Sequence, residues 1–310
     1  MSRTGRVFIV GIYVTDLTFR AARMPLLGET IAGSTFKMGP GGKGSNQAVA
    51  AARAGAEVTF CTRIGNDAFG TIARATWQAD NIKVRATALD DVATGAAHIF
   101  VDEVTGKNAI IVAAGAAATM TPVDLDAVEA EIAASAVFVT QLEQPLAVAR
   151  HGLALARKHG VLTVFNPAPA LPIDDDMYPL CDFITPNETE AAALTGVPVN
   201  TVDDARRAAQ ILLGKGVGAA IITLGESGAL FHTAQHSELI PAYQCGAVVE
   251  TAGAGDGFTG GLAAALARGE TPLQAVRFGC ALASLSVTRA GTAPSMPKLT
   301  EILGVLAVAA

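Results

Sequence analysis

The chain has 310 residues, of which 51% are hydrophobic and only 16% are charged, and its formal net charge is −6. This composition predicts a large buried core and excludes a mainly disordered chain. The negative charge argues against a general nucleic-acid or membrane surface, so any phosphate must be bound locally, by loops and single cations. The cysteines are far apart and form no C-x-x-C pair, which favours reduced thiols in the cytoplasm over disulfides or a zinc site: Cys61, Cys181, Cys245 and Cys280.

The first third of the chain contains two kinds of predicted strand. The short apolar run Val7–Gly11 is typical of a strand buried on both faces of a parallel sheet, and no cleavage site follows it as in a signal peptide. Residues 15–38 do not form a helical pattern, and Glu29–Phe36 predicts a strand of a separate, smaller sheet. Gly95–Val101 and Ala109–Ala113 predict a hairpin in that smaller sheet, which we expect to cover the site as a lid.

A glycine-rich stretch, residues 39–47, opens a predicted helix at Asn46–Arg53, which Gly55 ends. Such a stretch lets the backbone approach a small polar ligand closely, with Lys43 and Asn46 as hydrogen-bond donors. The alternative is a flexible turn before a helix. The density of glycine next to lysine and asparagine favours a binding loop.

The rest of the chain alternates between strands and helices. Predicted strands are Val58–Gly65, Ala136–Thr140, Leu162–Phe165, Phe183–Thr185 and Ala219–Thr223, and predicted helices are Asp67–Gln78, Leu146–His159 and Asp203–Lys215. This alternation predicts an α/β fold with a doubly wound, mostly parallel sheet flanked by helices. We expect residues 1–310 to form one domain, with lid segments at about 14–40 and 95–113.

Ligands of such sheets bind outside the carboxyl ends of the strands. Polar side chains follow several predicted strands at those ends: Glu143, Asn166, Asn187, Glu190 and Thr223. Their shared placement predicts one site at that edge of the sheet.

A second glycine-rich stretch, residues 250–261, precedes a predicted helix at Phe258–Arg268. The first amides of a helix have no internal partner and attract anions. One carboxylate, Asp256, lies among them. It is either an N-cap of the helix or a base beside a phosphate-binding loop.

These features together favour transfer of a phosphoryl group to a hydroxyl, a reaction that depends on positioning and charge neutralisation. The amides of residues 252–255, including Gly253, Ala254 and Gly255, would hold the developing charge. Asp256 would accept the hydroxyl proton, and Glu190 would orient Mg²⁺ through water. No Walker A motif is present, and no G-x-G-x-x-G follows the first strand directly, which disfavours a P-loop or dinucleotide enzyme.

Both glycine-rich stretches resemble family signatures. Residues 41–48 read GGKGSNQA and residues 250–256 read ETAGAGD, and both are similar to signatures of the ribokinase-like (pfkB) carbohydrate kinases. Segments 166–170, 185–190 and 291–295 resemble the ribokinase and deoxyribokinase branch of that family. The resemblance covers essentially the whole chain and favours Asp256 as a catalytic base.

The resemblance implies a function and a set of site residues. The expected reaction is ATP-dependent phosphorylation of the terminal hydroxymethyl of a ribose-type pentose, in a cytoplasmic homodimer joined through its lids that binds neither nucleic acid nor membranes. The sugar would contact Asp16, Gly42, Lys43, Asn46, Glu143 and Asp256, and the nucleotide would contact Asn187, Thr223, Gly225, Gly228 and Gly255. A potassium ion would be bound by Glu250, Ala252, Val287, Gly291 and Ser295.

Two positions depart from the family pattern. Val14 stands where ribokinases usually carry Asn, and deoxyribokinases similarly have an apolar residue there. A sugar hydroxyl left unpaired by valine costs about 1–3 kcal/mol, so 2-deoxyribose or another sugar is a second candidate. Alternatively, Val14 only packs in its strand. Glu250 replaces the more usual Asp, and its extra methylene alters the expected potassium site.

Other functions remain open at this point. A nucleoside or ketose kinase would share the fold, although Lys43, Asn46 and Glu143 favour a free pentose. A catalytically silent sugar-binding or regulatory protein belongs to another class, and the intact Asp256 loop argues against it.

Overall fold

The computed structural model describes residues 3–308. The strands are Arg6–Val10 (β1), Val14–Ala21 (β2), Thr35–Gly41 (β3), Glu57–Gly65 (β4), Lys83–Leu89 (β5), Thr94–Asp102 (β6), Asn108–Gly115 (β7), Val137–Thr140 (β8), Leu162–Phe165 (β9), Phe183–Ile184 (β10), Ala219–Thr223 (β11), Ala229–His232 (β12) and Ser237–Ile240 (β13). The α-helices are Lys43–Arg53 (α1), Ala68–Ala79 (α2), Pro122–Asp126 (α3), Glu129–Ala133 (α4), Leu146–Lys158 (α5), Glu188–Thr195 (α6), Val202–Gly214 (α7), Ala254–Arg268 (α8), Pro272–Ser286 (α9) and Leu299–Val308 (α10).

Within the described residues, a nine-stranded sheet has the order β13-β12-β11-β10-β9-β8-β1-β4-β5. Pairing is parallel from β5 to β11, while β12 and β13 add antiparallel strands at one edge. The chain builds outward from β1 to β4 and β5, and then restarts with β8 on the other side of β1. This reversal makes the gap between β1 and β8 the switch point, where doubly wound sheets bind ligands.

Both faces of the large sheet are buried, because successive side chains of a strand point to opposite faces. In β1, Val7 and Ile9 pack with α1, α2, α8 and α9. Phe8 and Val10 pack with helices α5 and α7 on the other face. The predicted α/β architecture, with a mostly parallel sheet between helical layers, is therefore confirmed.

A separate four-stranded sheet, also within residues 3–308, has the order β3-β2-β6-β7. It contains the predicted hairpin, now β6 and β7, which pair antiparallel. The strand predicted at Glu29–Phe36 is wrong, because the strand begins only at Thr35. Glu29 instead accepts hydrogen bonds from the Arg23 guanidinium and from the amide of Leu26, which fold this segment into a loop.

Two helices begin earlier than their sequence patterns predict. Helix α1 begins at Lys43 rather than Asn46, and α8 begins at Ala254 rather than Phe258. Part of each glycine-rich stretch, residues 43–47 and 254–261, is therefore helical, and the helix fixes the directions of the side chains there.

Among residues 3–308, no helix combines the length and the apolar character that a membrane span requires.

Asp67 joins the two sheets. Its carboxylate caps α2 by accepting the amide of Gly70 at 2.7 Å. It also accepts the Thr94 amide at 2.7 Å and the Thr94 hydroxyl at 2.8 Å, at the first residue of β6. Burial opposes the charge, but these bonds lower the pKa of Asp67 below its ordinary value. One carboxylate thus fixes a helix end and the root of the small sheet.

We predict that Asp67→Ala lowers the free energy of unfolding by about 2–3 kcal/mol at neutral pH, because a cap and two further bonds are lost. The pKa of Asp67 is lowered on folding, so this contribution is present at neutral pH and is lost as the pH falls through the folded value. Urea denaturation measures both effects. Asp203→Ala is the control, since Asp203 is 77% exposed in the first turn of α7. Equal losses in the two variants would contradict the assignment.

Candidate active site

A cleft lies at the carboxyl ends of β9, β10 and β11. It is lined by residues from α1, from these strand ends, from α6 and from the turn into α8: Lys43, Asn166, Ala168, Thr185, Asn187, Glu190, Thr223, Thr251, Gly253, Ala254, Gly255 and Asp256. The two glycine-rich segments and the polar strand ends therefore meet in one place, as their positions in the sequence predict.

The first glycine-rich segment turns from β3 directly into α1. Gly42 is the N-cap of α1, with φ +86°, and a Cβ atom there would lie 2.7 Å from the Ile12 carbonyl oxygen. Only glycine adopts this conformation and fits this space readily. The following turn points Lys43 into the cleft and buries Asn46. Asn46 Oδ1 is buried and has no hydrogen-bond partner within the described residues.

Asp256 lies inside the first turn of α8 and is 6% exposed. It does not cap the helix, because the N-cap is Gly253, whose φ is +80° and which makes no side-chain cap bond. Interpreting Asp256 as an N-cap is therefore wrong. Its carboxylate instead accepts hydrogen bonds from two side-chain amides, from Asn46 Nδ2 at 2.9 Å and from Gln47 Nε2 at 3.2 Å. Burial raises the pKa of Asp256, while Lys43 and these two amides oppose the rise.

Two buried amide side chains at the site, Gln47 and Gln141, were not predicted as site residues. Gln47 is fully buried and contacts Asp256, Asn166 and Gln141. Asn166 follows β9, and Gln141 follows β8 immediately. Asn166 was expected there as a polar residue at a strand end, and the same position directly after a predicted strand was a signal for Gln141. Gln47 carried no local signal, because its partners lie 94 to 209 positions away in the chain.

Two more carboxylates lie near this centre. Glu143 accepts the amide of Lys43 at 2.7 Å. Burial raises the pKa of Glu143 to about 7, helped by the charges of Asp256 and Asp16 and opposed by Lys43. Burial also raises the pKa of Asp16, in β2, to about 6, helped by Asp256 and by Glu250. The same carboxylates act on Lys43. Burial lowers the pKa of Lys43, but the charges of Asp256 and Glu143 raise it more, so it lies above its ordinary value.

Asn187 and Glu190 form a reciprocal cap at the start of α6. Asn187 Oδ1 accepts the Glu190 amide at 2.8 Å, and Glu190 Oε2 accepts the Asn187 amide at 2.9 Å. Asn187 also forms a bridge with Thr223 at the end of β11. Gly225 and Gly228 lie in the turn between β11 and β12. The expected nucleotide-binding residues therefore occupy neighbouring strand ends.

The residues expected at a potassium site lie around the turn before α8. Glu250 Oε2 accepts the Gly291 amide at 2.8 Å. The Val287 carbonyl accepts the amides of Val249 and Glu250. Ser295 donates its hydroxyl to the carbonyl of Thr292 at 2.8 Å, and Ala252 lies in the turn itself. Glu250 and Gly291 are thus in direct contact across 41 positions of the chain.

Comparisons with known proteins cover almost the whole chain. Residues 4–299 match the family described as pfkB family carbohydrate kinase. A ribokinase from Haemophilus influenzae is 39% identical over 277 residues, which cover 89% of this chain and 90% of that protein. A deoxyribokinase from Salmonella typhi is 36% identical over 299 residues, covering 95% and 96%. The structure of Arabidopsis thaliana ribokinase complexed with ribose and ATP has a TM-score of 0.91 and 28% identity, covering 99% of each chain.

The raised pKa of Glu143 leads to a prediction about stability. The folded pKa is about 7 against an ordinary value of 4.5. The stability contributed by the protonated form is therefore complete below pH about 4.5 and is lost as the pH rises through about 7. Glu143→Gln is neutral at every pH, so we expect it to raise the melting temperature by a few degrees at pH 8 and by less at pH 5.

Scanning calorimetry at both pH values measures this gain. Glu103→Gln, in the exposed turn between β6 and β7, is the matched control and should leave both melting temperatures unchanged. A gain of the same size at pH 5 and pH 8 would show that Glu143 is not protonated in the predicted range.

Proposed function

Because the chain belongs to the pfkB family of carbohydrate kinases, we propose that it transfers the γ-phosphoryl group of ATP to the terminal hydroxymethyl of a ribose-type pentose. The observation that carries this proposal is the environment of Asp256. A buried carboxylate lies in the first turn of α8, beside Lys43, where the cleft meets the helix amides. A hydroxyl held there has a proton acceptor and an anion site within the same turn.

The chemical step needs few groups. The sugar hydroxyl oxygen forms a bond to the γ-phosphorus, the bond from that phosphorus to the β,γ-bridging oxygen breaks, and ADP leaves with the electron pair. The hydroxyl proton passes to Asp256. Lys43 compensates the charge of the carboxylate before the transfer. The amides of Gly253, Ala254 and Gly255 stabilise the charge that develops on the transferred group.

The sugar side of the cleft is assigned to Asp16, Gly42, Lys43, Asn46 and Glu143. Support comes from the buried Asn46 Oδ1, which has no partner among the described residues and suits a sugar hydroxyl as donor. The Glu143 carboxylate already accepts the Lys43 amide, and its other oxygen is available to a second hydroxyl. Gly42 allows the sugar to approach the backbone.

The nucleotide side is assigned to Asn187, Thr223, Gly225, Gly228 and Gly255. The first four lie at or just after neighbouring strand ends, and Gly255 lies in the first turn of α8. Glu190 suits Mg²⁺ held through water, since it lines the cleft and only its Oε2 atom is used by the cap. The ion supplies charge neutralisation on the phosphates when it is bound.

A monovalent cation, K⁺, is assigned to the carboxylate of Glu250, the hydroxyl of Ser295 and the carbonyls of Ala252, Val287 and Gly291. Each position offers an oxygen atom, and that of Val287 already accepts the amides of Val249 and Glu250. The contact between Glu250 and the Gly291 amide supports this grouping, because it brings the two segments together. A cation here would stabilise the turn that presents the anion-binding amides.

We also propose a homodimer joined through the small sheet, in the cytoplasm. Strand register places Phe19, Phe36, Met38 and Ile111 on the face opposite to Asp16, and these side chains are 40–66% exposed. An exposed apolar face of this kind is typical of a protein–protein interface.

Light scattering is expected to return twice the mass of one chain, and Phe36→Lys should lower the measured mass towards that of one chain. A monomeric native chain would contradict this assembly.

The assignment to the cytoplasm rests on the cysteines, which are unpaired and agree with a reducing compartment.

Val14 supports 2-deoxyribose as a second candidate substrate. Its side chain is 3% exposed and packs with Ile12, Ala97 and Ala117, two residues before Asp16. Valine offers no hydrogen bond to a sugar hydroxyl at this place. If it borders the sugar, Val14→Asn should raise the ratio of ribose to deoxyribose turnover by about tenfold. If it only packs, the substitution should lower stability and leave that ratio unchanged.

The proposed function is tested by ADP release from the purified protein with ATP and Mg²⁺. The panel contains ribose, 2-deoxyribose, other pentoses, ketohexoses and nucleosides, each with KCl or NaCl at equal concentration. We expect pentose-dependent ADP release that is faster with KCl. Turnover with a nucleoside or ketose alone would assign the cleft to that substrate, and silence on the whole panel would contradict a kinase.

Asp256→Asn should lower kcat by about 10²–10⁴-fold, because the base is lost, while sugar binding measured by calorimetry is retained. Asp204→Asn is the matched control, since Asp204 belongs to the exposed cap of α7. Near-normal turnover in Asp256→Asn would remove Asp256 from the base role.

A further inference from the structure

Gln47 is a fully buried amide at the centre of the site that the proposed chemistry does not use. Its Nε2 donates to Asp256 Oδ1 at 3.2 Å and to Asn166 Oδ1 at 3.1 Å. Its Oε1 accepts from Gln141 Nε2 at 2.5 Å. Both ends of this side chain are therefore engaged.

The partners of Gln47 fix which way its amide points. Asn166 donates its own amide to the Thr185 carbonyl at 2.8 Å, so its oxygen faces Gln47. A carboxylate accepts and does not donate, and Gln141 presents an amide NH₂. Turning the Gln47 amide around would place its oxygen against both Asp256 and Asn166. Only one orientation satisfies all partners, and it directs an N–H group at Asp256.

We propose that Gln47 is a positioning residue, which aims the Asp256 carboxylate and keeps it ionised for proton transfer. Its kinetic consequence rests on the proposed function. Asn46 holds Oδ2 and Gln47 holds Oδ1, so the carboxylate plane is set by two neighbouring residues of α1. Gln141 and Asn166 anchor Gln47 in turn to the ends of β8 and β9. The relay thus orients the base relative to the sheet.

The charges around Asp256 show why a neutral donor matters. Lys43 in α1 favours the ionised form. The carboxylates of Asp16 in β2, Glu143 after β8 and Glu190 in α6 lie near enough that the charge of Asp256 raises the pKa of each of them. One cation faces several acidic groups, so a hydrogen bond to the charged form of Asp256 helps to keep it ionised.

The test compares two buried glutamines. Gln47→Met keeps the side-chain length and removes the bonds, and Gln144→Met is the matched control. Gln144 is also buried, in the loop after β8, but its side-chain amide donates to Thr140 Oγ1 and to the Gln141 carbonyl and does not touch Asp256. We expect Gln47→Met to lower kcat by about 10–100-fold with little change in the sugar KM. Gln144→Met should keep the wild-type kcat.

The pH profile supplies a readout that a purely structural role would not change. A bond to the charged form lowers a carboxyl pKa, so its loss should move the acid limb of kcat/KM to higher pH in Gln47→Met. Gln141→Met leaves the Gln47–Asp256 bond but removes its anchor, and it should give a smaller shift in the same direction. A wild-type profile in Gln47→Met, or equal losses in Gln47→Met and Gln144→Met, would overturn the proposal.

A measurement without turnover separates this proposal from the proposed function. Carboxyl-carbon NMR of protein labelled with [4-¹³C]aspartate follows the titration of Asp256, and the signal is assigned by its absence in Asp256→Asn. We expect this titration to move to higher pH in Gln47→Met and to stay in place in Gln144→Met, even if no sugar of the panel is phosphorylated. An unmoved titration in Gln47→Met would overturn the proposal.

Discussion

The arrangement of the site depends on compensating the negative charge of one buried carboxylate, Asp256. A charge taken out of water is costly unless partners are close and correctly oriented. Here the partners Lys43, Asn46 and Gln47 all come from the first turns of α1. That requirement holds α1 against α8, and the contact is close: a Cβ atom on Gly260 of α8 would lie 2.6 Å from the Ala50 side chain of α1. Packing and electrostatics therefore require the same arrangement of the two helices.

The site contains more negative charge than its own residues neutralise. Burial and mutual repulsion raise the pKa of Asp16 to about 6 and that of Glu143 to about 7. Such a site reduces the stability of the free protein at neutral and higher pH, and ligands that donate hydrogen bonds relieve that cost. Sugar hydroxyls are ligands of this kind, since each hydroxyl can donate one hydrogen bond to a carboxylate. Loss of stability at a functional site is a common compromise between folding and activity.

Much of the fold could be predicted because its signals are local. The apolar run Val7–Gly11 and the helical pattern that follows Asp67 are each visible in consecutive residues. The loop at Glu29 was missed because its bonds to Arg23 and Leu26 outweigh a strand-like pattern. The starts of α1 and α8 were predicted too late, because glycine has a low helix propensity and the first turn of each helix is held in place by tertiary contacts. Likewise Gln47 could not be assigned from sequence, because its partners lie 94 to 209 positions away.

The central claim is that Asp256 lies between the sugar and the phosphates at the start of α8. The most direct measurement is a crystal structure of the protein with ribose and a non-hydrolysable ATP analogue. The account predicts the terminal hydroxyl within hydrogen-bond distance of Asp256 and the γ-phosphate at the amides of residues 253–255. A sugar bound elsewhere, or a terminal hydroxyl that faces a different side chain, would contradict it.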